Sequence, residues 1–94
     1  MLQLTETALK KVKREMDKDP EKEFVRIFVS PGWCSTAVVN VTLDESTKEN
    51  HVTMEAEGIK FLIHKDQVST FDDQALDFLE TYFGMGNFLL KEIE

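Results

Sequence analysis

"QALDFLETYF", residues 74–83, can be read two ways, and the fold class turns on the choice. Ala75, Leu76, Leu79 and Phe83 suit one face of a helix, whereas Leu76, Phe78 and Tyr82 suit a strand interrupted by Glu80. Periodicity does not decide so short a run. Downstream, Gly84-Met85-Gly86 reads as a turn, and Phe88 and Leu90 alternate with Asn87, Leu89 and Lys91 in a last strand.

Upstream the signals are mostly those of strands. Phe24-Val25-Arg26-Ile27-Phe28-Val29 is a β-branched and aromatic run stopped by Ser30-Pro31-Gly32. Val38, Val39, Val41 and Leu43 form a second strand, followed by a polar turn or loop from Asp44 to Asn50. Val52, Met54 and Ala56 alternate with Thr53, Glu55 and Glu57, and Ile59, Phe61 and Ile63 alternate with Lys60, Leu62 and His64. Glu57-Gly58 turns the chain between these two runs, and Asp66 to Phe71 has room for one helical turn. Asp72-Asp73 reads as a turn or helix cap rather than an acid–base pair.

The N-terminal segment is helical in pattern. Thr5 is a good N-cap, Glu6 suits the positive end of the helix dipole, and Leu4 and Leu9 have the spacing of a hydrophobic staple. Ala8, Leu9, Val12 and Met16 form the apolar stripe, with Lys10, Lys11, Lys13 and Arg14 mostly off it. Asp19-Pro20 ends it, because the residue before proline avoids helical dihedrals. One helix followed by six or seven short strands indicates a mainly β (α+β) single domain over residues 1–94.

Composition narrows the function. The 94 residues support one small core, which leaves a homodimer compatible with the available area. Eighteen acidic against eleven basic residues give a net charge of −7. That argues against nucleic acid and anionic membrane surfaces as partners. No run approaches the roughly 18 apolar residues of a spanning helix. The opening Met1-Leu2-Gln3-Leu4 lacks the basic and apolar regions of a signal peptide. A lone, unpaired cysteine fits a reducing cytosol, so a cytoplasmic location is expected.

Catalytic templates mostly fail. There is no phosphate-binding glycine loop and no cysteine pair at zinc spacing, and His51 and His64 fall on different predicted strands. No enzymatic activity is expected. Cys34, in "PGWCST" at 31–36, differs in kind, because it follows a turn and a thiolate is both a soft metal ligand and a nucleophile. The alternative is a buried, inert hydrophobe.

The order of these features resembles the HesB/IscA-like family of A-type iron–sulfur carrier proteins, almost end to end. Leu4-Thr5-x-x-Ala8 is similar to the family's helix start. "FVRIFVSPGWCST" is similar to its strand and glycine-cysteine loop, with Arg26, Gly32, Cys34 and Ser35 in matching places. "GIKFLIH" is similar to a strand that usually ends in aspartate, where His64 stands here. Leu76-Asp77-Phe78-Leu79 and Gly84-Met85-Gly86-Asn87-Phe88 are similar to its closing strand and G-x-G-F turn, the latter with one residue inserted. The resemblance implies a strand over 74–83 and a compact fold of two packed mixed sheets with an N-terminal helix.

It also implies a role in iron–sulfur cluster biogenesis, in which iron or a cluster is bound transiently through Cys34 and handed to assembly or recipient proteins. Cluster-carrying members have three cysteines, two of them in a C-terminal Cys-Gly-Cys tail, and only Cys34 matches; the sequence stops at Glu94, where that tail would begin. One thiolate does not close a cluster that takes four ligands. A two-fold dimer supplies two, and His64, His51, a small thiol or a partner would supply the rest. Gly32 gives the turn that presents the thiol, with Trp33 and Ser35 beside it. Trp33 and Thr36 replace loop glycines of the family. That favours an alternative, a degenerate metal-free binding or regulatory module with Trp33 as its anchor. A third reading, thiol redox chemistry at Cys34, lacks a resolving cysteine.

Overall fold

The computed structural model describes residues 2–29, 38–80 and 86–93. Helix α1 (Glu6–Lys18) begins and ends where the sequence places it, with Thr5 as N-cap and Asp19 as C-cap. Among the described residues seven strands follow the order β1 (Gln3–Leu4), β2 (Phe24–Val29), β3 (Val38–Asp44), β4 (His51–Ala56), β5 (Ile59–His64), β6 (Gln74–Glu80) and β7 (Gly86–Glu92). A 3₁₀ turn (Lys65–Gln67) and a single helical turn, α2 (Val68–Phe71), connect β5 to β6.

Over Gln74–Glu80 the ambiguous stretch is a strand. Leu76 and Phe78 are buried, while Leu79, which a helix would have turned inward, is 59% exposed. Tertiary partners impose this period: β7 pairs with β6 along its whole length, and β1 pairs with it in parallel. Tyr82, Phe83, Gly84 and Met85 lie outside the described residues. Strand β1 gave no signal in the sequence, being two residues long.

The expectation of two packed sheets is corrected. All seven strands form one mixed sheet in the order β1-β6-β7-β3-β2-β5-β4. The halves are joined because β3, already antiparallel to β2, also pairs with β7 through Val38↔Leu89 and Val39↔Phe88. Among the described residues that join comprises two residue pairs, and it leaves no pattern in the sequence. The mixed character was expected and is present: β1–β6 and β2–β5 are parallel and the other pairs antiparallel.

The main core lies between α1 and the sheet. Ala8 and Val12 of the helix, Val25 and Ile27 of β2, Phe61 and Ile63 of β5, Phe71 and Leu76 are all buried. Leu62 is fully buried too, although it lies on the opposite face from Phe61 and Ile63. Strand β5 is therefore covered on both faces, as the parallel pairing with β2 favours. The β4–β5 hairpin turns at Glu57 (φ 53°) and Gly58 (φ 78°), two left-handed residues as a tight hairpin requires. At Gly86 the constraint is space: a Cβ there would run into the Phe78 ring and lie 2.7 Å from the Leu79 carbonyl oxygen. No helix among the described residues is long and apolar enough to cross a membrane.

One contact ties the two ends of the chain together. The Thr5 hydroxyl accepts from the Ala8 amide (3.3 Å) as helix cap and donates to Asp77 Oδ1 (2.6 Å). The Thr5 amide donates to the Leu76 carbonyl (2.9 Å). The Thr5 bond holds the Asp77 carboxyl below its ordinary range, helped by the Phe78 amide and by Lys91 at 3.7 Å. Because the folded-state pKa is depressed, this stabilisation is present above the unfolded value of about 3.9 and is lost as pH falls through the folded one. Asp77→Ala is expected to cost about 1.5–3 kcal/mol near neutral pH, the range for bonds to a charged group. Urea denaturation at several pH values checks this: the gap to wild type should close in acid.

Candidate functional site

Strands β2 and β3 are antiparallel partners, with Val29 opposite Val39. The connection between them, which carries Cys34, therefore leaves and re-enters the sheet at adjacent points. Gly32, Trp33, Cys34, Ser35 and Thr36 lie outside the described residues. Towards its far end, at Asp44, the β2–β3 pair is held by side chains. On β2, Arg26 donates to Thr42 Oγ1 (3.3 Å) and pairs with Asp44 (3.4 Å), whose second oxygen faces Lys48 (3.6 Å). The guanidinium also lies over the Phe28 ring at 5.3 Å. Arg26 thus fastens β2 to β3.

Sequence reasoning missed Gln67. Its side-chain amide takes the part of an extra strand at the end of β2: the Val29 amide donates to Gln67 Oε1 (3.0 Å), and Gln67 Nε2 donates to the Val29 carbonyl (3.0 Å). Val29 is the last described residue before the Cys34 connection. A glutamine in a polar turn carries no motif, so nothing local could have marked it. Gln67→Ala removes both bonds and is expected to cost about 1–3 kcal/mol. Amide hydrogen exchange read by NMR should show the Val29 amide losing protection ahead of the core.

The two candidate histidines come together. His51 on β4 is the direct cross-strand partner of His64 on β5, with ring centres 5.2 Å apart and ring planes at 82°. His51 Nδ1 lies 2.9 Å from the Glu49 carbonyl oxygen. His64 Nδ1 accepts from the Asp66 amide (3.1 Å) as cap of the 3₁₀ turn, with the Asp66 carboxylate 3.6 Å away. Capping is work an aspartate side chain also does. The parallel register of β2 and β5, Arg26 opposite Leu62, places His64 at the sheet end where β2 runs out into the Cys34 connection. The register that unites the histidines was in principle readable. A two-residue turn at Glu57-Gly58 pairs Ala56 with Ile59, and counting outward reaches His51 and His64.

Among the described residues no group of three or more His, Cys, Asp or Glu is placed to hold a metal ion. An open groove of about 620 Å³ lies between α1 and strands β3, β6 and β7, lined in part by Lys11, Glu15, Leu43, Phe78 and Phe88. Neither histidine borders it.

Comparison with known proteins agrees with the expected relationship. The iron–sulphur cluster biosynthesis family matches residues 1–88. The iron–sulfur cluster insertion protein ErpA of Citrobacter koseri is 30% identical over 80 residues, covering 84% of this chain and 70% of its own. Among solved structures, IscA with the [2Fe-2S] cluster superposes with a TM-score of 0.76 at 20% identity, over 98% of this chain and 85% of that one. Escherichia coli SufA, involved in biosynthesis of iron–sulfur clusters, superposes with a TM-score of 0.72 at 19% identity, over 97% and 79%. At those identities the superpositions speak for the fold. The sequence match speaks for the lineage, which is one of cluster assembly and insertion proteins rather than of enzymes: the chain belongs to the iron–sulphur cluster biosynthesis family.

Proposed function

We propose that this protein binds iron or an iron–sulfur cluster transiently through Cys34 and passes it to recipient proteins in the cytosol. The observation that carries the reading is the position of the one thiol in these 94 residues. It sits in the β2–β3 connection of a fold shared with a cluster-bound carrier, beside Gly32 and Ser35 in matching places. The cluster is cargo, so the protein must hold it firmly enough to carry it and loosely enough to release it. A ligand set divided between molecules does this. Four cysteine or histidine ligands are the usual requirement. One thiolate from each copy in a two-fold dimer leaves two positions for a small thiol such as glutathione, or for the recipient. Transfer is then ligand exchange, in which recipient thiolates take the exchangeable positions first and displace Cys34 last.

Reconstitution of the wild-type chain with ferrous iron, sulfide and glutathione without oxygen tests this. A brown protein is expected, with thiolate-to-iron absorption and about one cluster per dimer. A colourless protein with background iron would overturn the proposal and favour the metal-free module anchored by Trp33.

A further inference from the structure

The family relationship gives no role to the histidines, yet the structure makes them direct cross-strand partners with ring centres 5.2 Å apart. The Lys65 amide donates to the Asn50 carbonyl (2.8 Å), which makes Asn50 and Lys65 a hydrogen-bonded pair of the β4–β5 ladder. The next pair inward, His51 and His64, is therefore a non-hydrogen-bonded one, the position at which cross-strand side chains lie closest.

We propose that His51 and His64 form an open binding site for a divalent cation of the zinc class, separate from the Cys34 thiol. With Zn–N bonds of about 2.0–2.1 Å, a tetrahedral zinc holding two imidazoles sets their ring centres about 5 Å apart. The observed separation is 5.2 Å. The His51 hydrogen bond points the same way. A carbonyl oxygen only accepts, so His51 carries its proton on Nδ1 towards Glu49 and leaves the Nε2 lone pair free. That is the arrangement of a metal-bound histidine fixed by an outer carbonyl.

His64 accepts at Nδ1 from the Asp66 amide, so its ring proton stands on Nε2, the other ring nitrogen, which a cation would take. Binding there moves the ring proton from Nε2 to Nδ1, where the Asp66 carboxylate, 3.6 Å away, is the acceptor that replaces the amide contact. The ion gains two nitrogens and no new charge forms on the protein. Two coordination positions remain for water or for a donor from another molecule, and β4, as the edge strand of the sheet, leaves them room. A net charge of −7 favours any cation at the surface.

The test uses the full chain carrying Cys34→Ser, so that neither the thiol nor a cluster contributes and the outcome is independent of the carrier reading. Zn²⁺ is titrated while imidazole nitrogens are followed by long-range ¹H–¹⁵N NMR, with affinity from calorimetry. Both Nε2 signals are expected to move together and saturate at one Zn²⁺ per chain. His51→Ala is expected to weaken binding about tenfold or more, since the loss of outer-shell partners alone costs about 10–100-fold. His64→Asn, which keeps an acceptor for the Asp66 amide, should weaken binding as much while the fold is retained. Movement of one ring only, of neither ring, or an affinity unchanged in His51→Ala or in folded His64→Asn would overturn the proposal.

Discussion

Phe61→Ala is expected to leave this protein close to unfolding at ordinary temperature. Phe61 is fully buried in β5, opposite Val25 of β2 on one side and Met54 of β4 on the other. Truncating a buried phenylalanine costs about 3–5 kcal/mol, partly in lost transfer energy and partly in the cavity left behind. A domain of this length has about 5–14 kcal/mol in total. At about 4–8 °C for each kcal/mol, the midpoint should fall by roughly 12–40 °C. The sheet makes collapse of the cavity difficult, because both flanking strands are held in register and cannot move inward independently. Val52→Ala on edge strand β4, where the side chain is 42% exposed, is the matched control and should change stability by no more than about 0.5 kcal/mol. Thermal melts followed by circular dichroism separate the two outcomes. A midpoint in Phe61→Ala within a few degrees of wild type would mean that this core is not the one described.

How far the sequence carried the fold depended on how local each determinant is. The N-cap at Thr5, the end of α1 at Asp19-Pro20 and the left-handed turn at Glu57-Gly58 are set by a few adjacent residues, and each was readable. The strand over Gln74–Glu80 is set by β1 and β7, so its own residues left the choice open, and resemblance resolved what periodicity did not. The single sheet was unreadable for the same reason, since its halves meet through the pairing of β3 with β7. Resemblance itself gains a physical meaning here. Its first motif, Leu4-Thr5-x-x-Ala8, and its late one, Leu76-Asp77-Phe78-Leu79, meet in the bond from Thr5 to Asp77 across 72 residues. Its Gly86 is required by the Phe78 ring and the Leu79 carbonyl. The site divides likewise: the residue type of Cys34 was readable, the Gln67 clamp was not, and the meeting of His51 with His64 was readable only through the hairpin register.

Cys34→Ser should abolish cluster loading. Serine nearly keeps the size, but its hydroxyl is a hard, weakly acidic donor, whereas iron in a cluster is held by soft, ionised thiolate. Each copy loses its one thiol, so a dimer loses both protein positions at once and nothing is left to seat a glutathione-ligated cluster. Iron and sulfide content after anaerobic reconstitution should fall to background, at least about tenfold below wild type, since even the loss of an outer-shell partner costs about 10–100-fold in metal affinity. Visible absorption should vanish, while circular dichroism and the thermal midpoint stay near wild type. The divided ligand set carries its own signature in the wild type. Removing glutathione by gel filtration should bleach the protein without unfolding it, and dilution should do the same, because a cluster shared by two copies is lost when they separate. A Cys34→Ser protein that stays brown would place the ligands elsewhere. A wild type that keeps its colour without small thiol and at high dilution would overturn the divided ligand set.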